Sequence, residues 1–418
     1  MKFLNNNINN IKKSIIFSII LLSGIIVSVN FFICREIPSV FYSEEKAEIN
    51  LGNVFQILPI KIVPNSNLDS VEANSKFDTK NSYKANVTLF NIPLKKVTVQ
   101  IYERPKVFVS GIPYVIKIFM NGVMVVNTTS VSTQNGEINP AQECGIKSGD
   151  LITQANGTAI NTNEDFAYMV ENCSGILNLT ISRKNYCFPV NLFPAKTSDN
   201  KYRAGLWIRD SSAGIGTMTF FDKNTHQFAS LGHGIRDIDT EELIPLAYGD
   251  ILEAKINSVI KSVNGLAGEL RGSVSNDKPI GELKLNDNSG VYGNYNETAN
   301  STKPNNLSEV EIAFKQEITR GPATMISTIN GTIPKSYNIN VDAIKLNKSD
   351  STKNIVISVT DEELLQNTGG IVQGMSGSPI VQGNKLVGAV THVCVNNPVK
   401  GYGILAETMM KNLQSTKK

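Results

Sequence analysis

The chain opens with an apolar stretch that has the length of a membrane span. Residues 14–34 form a run of 21 uncharged, mostly apolar residues, and an apolar helix needs about 20 residues to cross a bilayer. Lys2, Lys12 and Lys13 precede it, which favours a cytoplasmic N-terminus. The run is long for a removable signal peptide, and no small-residue cleavage site follows. We therefore predict a cytoplasmic segment at 1–13, a transmembrane anchor at 14–34 and an extracytoplasmic location for the remainder.

After the apolar stretch, the hydrophobic pattern weakens. Residues 36–84 are rich in Asn, Ser and Lys and lack sustained periodicity. Strand-like runs follow at 87–90 and 96–102. We interpret residues 35–104 as a stalk or linker.

A compact signature of strands and turns occupies the middle of the chain. Residues 145–152 read GIKSGDLI, an Asn-Gly turn follows at 156–157, and a helical pattern at 163–172 leads into a strand at 176–182. This order resembles a PDZ domain of the kind found in proteases, over residues 105–193. The resemblance implies binding of peptide termini by strand addition. Val115, Ile116 and Lys117 are the candidate residues for peptide binding.

The second half of the chain alternates short β-like runs with Gly, Asn and Asp. This pattern predicts a β-barrel or sandwich. Residues 284–308, rich in Asn, Ser and Gly, are predicted to form an exposed loop.

Charge and cysteine content exclude some functions. The 40 Lys+Arg residues nearly balance the 37 Asp+Glu residues, so nucleic acid is not expected as a partner. The five cysteines include no CxxC pair, and we expect neither a metal site nor a cofactor. Cys173 and Cys187 are the only plausible neighbours for a disulfide.

The strongest motif is GMSGSP at residues 374–379. In trypsin-like peptidases this spacing lets the backbone N–H groups of the first glycine and of the serine form an oxyanion hole. We predict Ser376 as the nucleophile, and Gly374 and Ser376 as the oxyanion donors. Ser378 is the rival nucleophile.

A serine nucleophile requires a base, and the chain has three histidines: His226, His233 and His392. His233 lies between two glycines after a predicted hairpin, which favours it as the base. His226 lies in a polar turn. His392 ends a strand, where it either lines the specificity pocket or is a partly buried strand residue.

The third member of a triad would orient the histidine. Asp361 preserves the order His, Asp, Ser and is the first candidate. Its sequence, TDEELL, is also a typical helix start, with Thr360 or Asp361 as N-cap. Asp237 and Asp239 remain alternatives.

Several motifs together resemble one peptidase family: LGH at 231–233, DIDT at 237–240, TDEELL at 360–365, TGGIVQGMSGSPI at 368–380 and GAVTHV at 388–393. They are similar to the stage IV sporulation protein B serine peptidases of endospore-forming bacteria, over about residues 85–418. The resemblance implies a mainly β fold, with a PDZ-like domain followed by a trypsin-like double β-barrel at 198–418. The family's catalytic residues match Ser376, His233 and Asp361.

The resemblance also implies a biological role. Such enzymes process themselves and cleave a membrane-anchored regulator of an intramembrane protease, which leads to sigma-factor maturation. They act between the forespore and mother-cell membranes. Two other functions fit the domain order: an inactive PDZ adaptor, and a general extracytoplasmic quality-control protease.

Overall fold

The computed structural model describes residues 2–52, 58–65, 82–173, 175–184, 186–296, 309–347 and 349–415. This part of the chain is mainly β, as predicted. Its α-helices are α1 (Lys2–Glu36), α2 (Pro140–Glu143), α3 (Asn163–Glu171), α4 (Glu362–Thr368) and α5 (Ala406–Ser415), with 3₁₀ turns at Lys315–Glu317 and Ser351–Lys353. The first thirteen strands are β1 (Val40–Ser43), β2 (Ile49–Asn50), β3 (Ile60–Pro64), β4 (Ser82–Leu89), β5 (Ile92–Ile101), β6 (Lys106–Val109), β7 (Pro113–Thr128), β8 (Val131–Thr133), β9 (Gly136–Ile138), β10 (Leu151–Ala155), β11 (Thr158–Ala159), β12 (Leu177–Arg183) and β13 (Tyr186–Leu192). The others are β14 (Ala195–Lys196), β15 (Tyr202–Arg203), β16 (Leu206–Asp222), β17 (Gln227–Ser230), β18 (Tyr248–Ile260), β19 (Glu269–Asp287), β20 (Gly290–Tyr295), β21 (Glu309–Ile312), β22 (Gly321–Ser327), β23 (Lys335–Ile344), β24 (Ile355–Val359), β25 (Pro379–Gln382), β26 (Lys385–Val393) and β27 (Lys400–Leu405).

Six antiparallel strands close into a first ring, in the order β7, β16, β17, β20, β19, β18 and back to β7. Alternate side chains along each strand point into the ring, and the inward-pointing ones form an apolar core. The buried core includes Tyr114, Met218, Phe228, Ile251 and Val291.

A second ring of six antiparallel strands runs β22, β23, β24, β27, β26, β25 and back to β22. Its core includes Met325, Ile339, Ile357 and Ile380. Strands β6 and β21 connect the two rings, since β6 pairs with β16 and with β21, and β21 pairs with β26.

Residues 40–101, assigned to a stalk from sequence, contain a five-stranded sheet of order β1-β5-β4-β3-β2. Its buried side chains share one core with the second ring. Arg104, placed after the sheet, bonds Glu317 at 2.7 Å and Glu44 at 2.9 Å. The sequence pattern was misleading because β1, β2 and β3 have only two to five residues each. They acquire apolar neighbours only in the sheet, where β1 pairs with β5, β3 with β4 and β2 with β3.

A middle module has its own core, which includes Val125, Ile152, Phe166 and Leu179. It combines β10–β13 and α3 with the end of β7 and the start of β16. The end of β7 and the start of β16 pair with each other, and the first pair is Leu206 with Thr128. The predicted boundaries 105–193 therefore shift. Strand β6 belongs to the connection between the two rings, and the first half of β7 belongs to the first ring. The start of β16 belongs to the module.

The turn of the GIKSGDLI motif is held by a buried carboxylate. Asp150 is fully buried and accepts hydrogen bonds from Arg183 at 2.6 Å and from the Lys147 N–H at 2.8 Å. Gly149 has a φ of +87°, a conformation that favours glycine. The motif therefore has a structural role within the module.

The segment 14–34, predicted to span a membrane, lies within α1. Within the described residues, no helix combines the length and apolarity of a membrane span. Lys95 donates hydrogen bonds to the carbonyls of Cys34 and Ile37, where the C-terminal end of this helix leaves carbonyls without helical partners.

Two smaller expectations change. The predicted loop at 284–308 contains, up to residue 295, the end of β19 and all of β20, with Val291 and Tyr292 fully buried. Residues 297–308 lie outside the described residues. Cys173 and Cys187 are both free thiols, one buried and one exposed, so they do not form the disulfide considered from sequence.

Candidate active site

Ser376 lies in a tight turn between α4 and β25, at the seam of the two rings. Gly374 and Gly377 in this turn have φ of +95° and +94°. A Cβ built on Gly377 would overlap the carbonyl oxygen of Thr217 and lie 2.7 Å from Leu231 N. The glycines therefore allow the turn to pack directly against the first ring.

The two predicted oxyanion donors are oriented by hydrogen bonds within their own peptide planes. Leu270 N–H donates to Gln373 O at 2.8 Å, and Ser378 N–H donates to Met375 O at 2.9 Å. In a planar trans peptide the N–H points opposite to the C=O, so these bonds fix the N–H groups of residues 374 and 376. Within the described part of the chain, neither N–H has a protein acceptor. Both are available to a developing oxyanion.

The Ser376 hydroxyl donates to the carbonyl of Thr391 at 2.8 Å. The rival serine, Ser378, is fully buried, and its hydroxyl bonds Ser327 Oγ at 3.0 Å. Of the two serines, Ser376 is the accessible candidate nucleophile.

His233 follows β17 after two residues in the left-handed region, Leu231 and Gly232, with φ of +64° and +70°. Its Nδ1 lies 3.0 Å from Gly234 O. A carbonyl only accepts hydrogen bonds, so the neutral ring carries its proton on Nδ1 and Nε2 is free to act as a base. Burial lowers the pKa of His233, and the nearby Arg236 lowers it further.

His392, on β26, also belongs to the site. Its ring centroid lies 5.0 Å from that of His233, and its Nδ1 is buried without a hydrogen-bond partner in the structure. Burial lowers the pKa of His392 to about 4, with further contributions from His233 and Lys353. The third histidine, His226, is exposed in the turn between β16 and β17.

Asp361 does not contact His233 in the described structure. It is the N-cap of α4: its carboxylate accepts from Leu364 N–H at 3.0 Å and from Asn338 N–H at 3.1 Å. The structure thus gives the predicted triad acid a capping role, the alternative that the sequence left open.

The other two candidate acids are also engaged elsewhere. Asp237 forms an ion pair with Arg209 and accepts from the N–H groups of Asp239 and Thr240. Asp239 pairs with Arg209 at 2.9 Å. In the described structure, the group that orients His233 is therefore the backbone carbonyl of Gly234.

Val115, Ile116 and Lys117, predicted for peptide binding, lie in the middle of β7. This strand pairs with β16 on one edge and with β18 on the other across all three residues. Because strand addition requires a free edge, these residues cannot receive a peptide. This prediction was wrong.

Thr217 also supports the site, although no sequence motif marks it. This buried residue of β16 donates from Oγ1 to Gly374 O at 2.8 Å and from N–H to Ser376 O at 3.0 Å. Thr219, two residues on, donates to Gly377 O at 2.7 Å. A threonine in a strand has no distinctive sequence signal, and only the packing of the two rings reveals this contact.

The described residues contain no group of three or more His, Cys, Asp or Glu side chains that could hold a metal ion. The chemistry available at the site is that of a hydroxyl, two imidazoles and two oriented backbone N–H groups.

Comparison with known proteins identifies a peptidase family. The family model described as SpoIVB peptidase S55 matches residues 200–410. This range contains Ser376 of the second ring and His233 of the first. A search of curated proteins finds no significant match.

The capping role of Asp361 predicts the effect of Asp361→Asn. Asparagine keeps an acceptor oxygen to cap Leu364 N–H and loses only the acceptor for Asn338 N–H. We therefore expect labelling of Ser376 by a fluorophosphonate probe to stay within about threefold of the parent rate. An asparagine in place of a triad acid instead lowers the rate by about 10⁴-fold. A loss of that size, with thermal unfolding unchanged, would show that Asp361 moves to His233 during the reaction.

The lowered pKa of His233 predicts the pH dependence of labelling. Neutral His233 is the base, so the rate falls as the pH drops through its pKa, and the half-maximal pH should lie below 6.5, the ordinary histidine value. Removing the neighbouring charge with Arg236→Gln should move this midpoint upward. Arg271→Gln, which removes an exposed arginine paired with Glu269, is the matched control. A midpoint at or above 6.5, or equal shifts in both variants, would contradict the assignment.

Proposed function

The chain belongs to the SpoIVB peptidase S55 family and is a serine peptidase, and we propose that it is a membrane-associated endopeptidase of sporulation signalling. In this role it processes itself and then cleaves a membrane-associated regulatory protein. The observation that best supports peptidase chemistry is the turn at residues 374–377, which packs between the two rings. There Ser376 lies close to the end of β17, which leads to His233, and the N–H groups of residues 374 and 376 have no protein acceptor among the described residues. The biological role rests on the family.

The geometry supports a two-step acyl transfer. The Ser376 hydroxyl turns from Thr391 O toward the substrate, its oxygen bonds to the peptide carbonyl carbon, and its proton passes to His233 Nε2. The negative oxygen is stabilised by the N–H groups of residues 374 and 376. Collapse breaks the C–N bond, and the leaving amine takes the proton from His233. Water then attacks the acyl carbon and gives a proton to His233, the bond from the acyl carbon to Ser376 Oγ breaks, and Oγ takes the proton back as the carboxylic acid leaves.

Membrane association is supported by the surface of α1. Among the side chains of this helix that the structure describes, nine large apolar ones are exposed: Ile15, Ile16, Phe17, Ile19, Ile20, Leu21, Leu22, Val27 and Phe31. An exposed apolar surface of this extent is typical of a membrane or protein contact. The basic residues Lys2, Lys12 and Lys13 precede it. With α1 at a membrane, the peptidase would act on substrates held at the same surface, between the forespore and mother-cell membranes.

The substrate follows from the family and from this placement. A protease held at a membrane encounters membrane-anchored proteins at high local concentration. The proposed target is a regulator of an intramembrane protease, whose cleavage leads to sigma-factor maturation. Self-processing would occur in the chain before the peptidase rings.

The middle module is the proposed peptide-binding domain, with its groove at the start of β16. Residues 206–209 pair with β7 along one edge, and in the described structure no strand pairs with their other edge. Helix α3 lies beside this strand, where Asn163 N–H donates to Asp210 at 2.9 Å. Trp207 on β16 and Tyr168 on α3 are 64% and 67% exposed. A free strand edge beside a helix is the arrangement that peptide addition requires.

The peptidase assignment is tested with residues 36–418 as parent and as Ser376→Ala, incubated with a fluorophosphonate probe and followed by intact mass. We expect the parent to add one probe and to cut itself, while the alanine variant does neither. Ser378→Ala is the matched control and should keep labelling, because that serine is buried. Labelling of the Ser376→Ala variant, or its self-cleavage at the parental rate, would contradict the site.

The groove prediction uses Trp207, the only tryptophan in the chain. A hexapeptide with a free C-terminal valine should shift the tryptophan fluorescence, and its C-terminal amide should bind more weakly. Tyr168→Ala should weaken binding by about tenfold. Tyr186→Ala, which removes a tyrosine that is 78% exposed on β13, should have no effect. Equal binding by all variants, or no fluorescence change with the parent, would exclude this groove.

A further inference from the structure

A path of buried hydrogen bonds connects the base-bearing strand to the nucleophile turn through Thr217. The Thr217 N–H donates to Ser376 O at 3.0 Å and its Oγ1 donates to Gly374 O at 2.8 Å. Thr217 is 1% exposed. One residue of the first ring therefore holds two carbonyls of the turn.

The same residue is held from the other side. Ser230, at the end of β17 and three residues before His233, donates from Oγ to Thr217 O at 2.5 Å. Since that serine has one proton to donate, the Tyr114 hydroxyl, 2.5 Å away, must donate to Ser230 Oγ. Tyr114 and Ser230 are both fully buried, so water does not compete for these bonds.

The two carbonyls held by Thr217 belong to the peptide planes on either side of the one that carries the Ser376 N–H. The Gly374 carbonyl lies in the plane of residues 374 and 375, and the Ser376 carbonyl lies in the plane of residues 376 and 377. Gly374 and Gly377 lack the Cβ that would restrict their backbone. The turn thus depends on outside contacts to keep its N–H groups in place.

We propose that Thr217 is a positioning residue of the peptidase: through its N–H and hydroxyl it holds the oxyanion-binding turn in place relative to the strand that carries His233. Thr217 touches neither substrate nor the reacting atoms, so its contribution acts through Gly374 and Ser376. The proposal goes beyond the family's Ser and His, and concerns the geometry in which they react.

A purely structural role is the alternative, because a buried carbonyl needs a donor wherever it lies. Thr328 provides the comparison. It is also 1% exposed, and its Oγ1 donates to a single backbone carbonyl, Gly111 O, at 3.1 Å. Among the described residues its hydroxyl forms no hydrogen bond to the nucleophile turn. Replacement of either threonine by valine keeps the branched shape and removes one hydroxyl.

The test compares Thr217→Val, Thr217→Ser and Thr328→Val in fluorophosphonate labelling, with the maximal rate kinact separated from the binding constant KI. We expect Thr217→Val to lower kinact by about tenfold to a hundredfold with KI unchanged, because the oxyanion donors are displaced but the probe still binds. Thr217→Ser keeps the hydroxyl and should restore most of the rate. Thr328→Val should leave kinact at the parental value.

Thermal unfolding of each variant separates misplacement from loss of fold. If Thr217→Val does not fold, Ser230→Ala is the deciding variant. It removes the hydrogen bond from Ser230 to Thr217 O and leaves the Thr217 N–H and hydroxyl that bond the turn. In that variant kinact should fall with KI unchanged. Parental kinact in Thr217→Val, or in Ser230→Ala where that variant decides, would overturn the proposal. So would equal losses in Thr217→Val and Thr328→Val, or a loss confined to KI.

Discussion

The contact on which the site depends is the direct packing of the nucleophile turn against the first ring. Gly377 lies where any side chain would overlap Thr217 O, and a Cβ at that position would lie only 2.7 Å from Leu231 N. Because the turn belongs to the second ring and His233 to the first, this contact sets the separation of nucleophile and base. Neither ring contains the site alone, so the active site forms only where the two rings pack against each other.

The nucleophile motif could be predicted because its information is local. Gly374, Ser376 and Gly377 lie within four residues, and their backbone conformation follows from which residues tolerate a positive φ. The structure finds both glycines in that region. A chain with three histidines leaves few candidates for a base, and the structure brings His233 and His392 together with ring centroids 5.0 Å apart. The choice of His233 as the base stays a prediction. The alternating runs of the second half likewise indicated a mainly β fold, although they did not reveal the two closed rings.

The failures share one physical cause, which is dependence on distant parts of the chain. A helix N-cap and a triad acid have the same local sequence at Asp361, and only its bonds to Leu364 and Asn338 decide between them. At Val115 the apolar run is compatible with many roles, yet its partners are Ile215 and Leu252, about 100 and 137 residues away. Thr217 was missed for the same reason.

Strand β16 gives the middle module a physical connection to the active site. Its first residues form the free edge beside α3, and Thr217 and Thr219 near its other end hold the nucleophile turn. Its pairing with β7 shifts register between Arg209 and Ser211, so a small displacement at the groove can be absorbed at this bulge. From Ser211 onward the ladder to β7 is unbroken. A bound peptide therefore changes the geometry of the turn only if it moves both strands together, and otherwise the module recruits a substrate without altering the catalytic geometry.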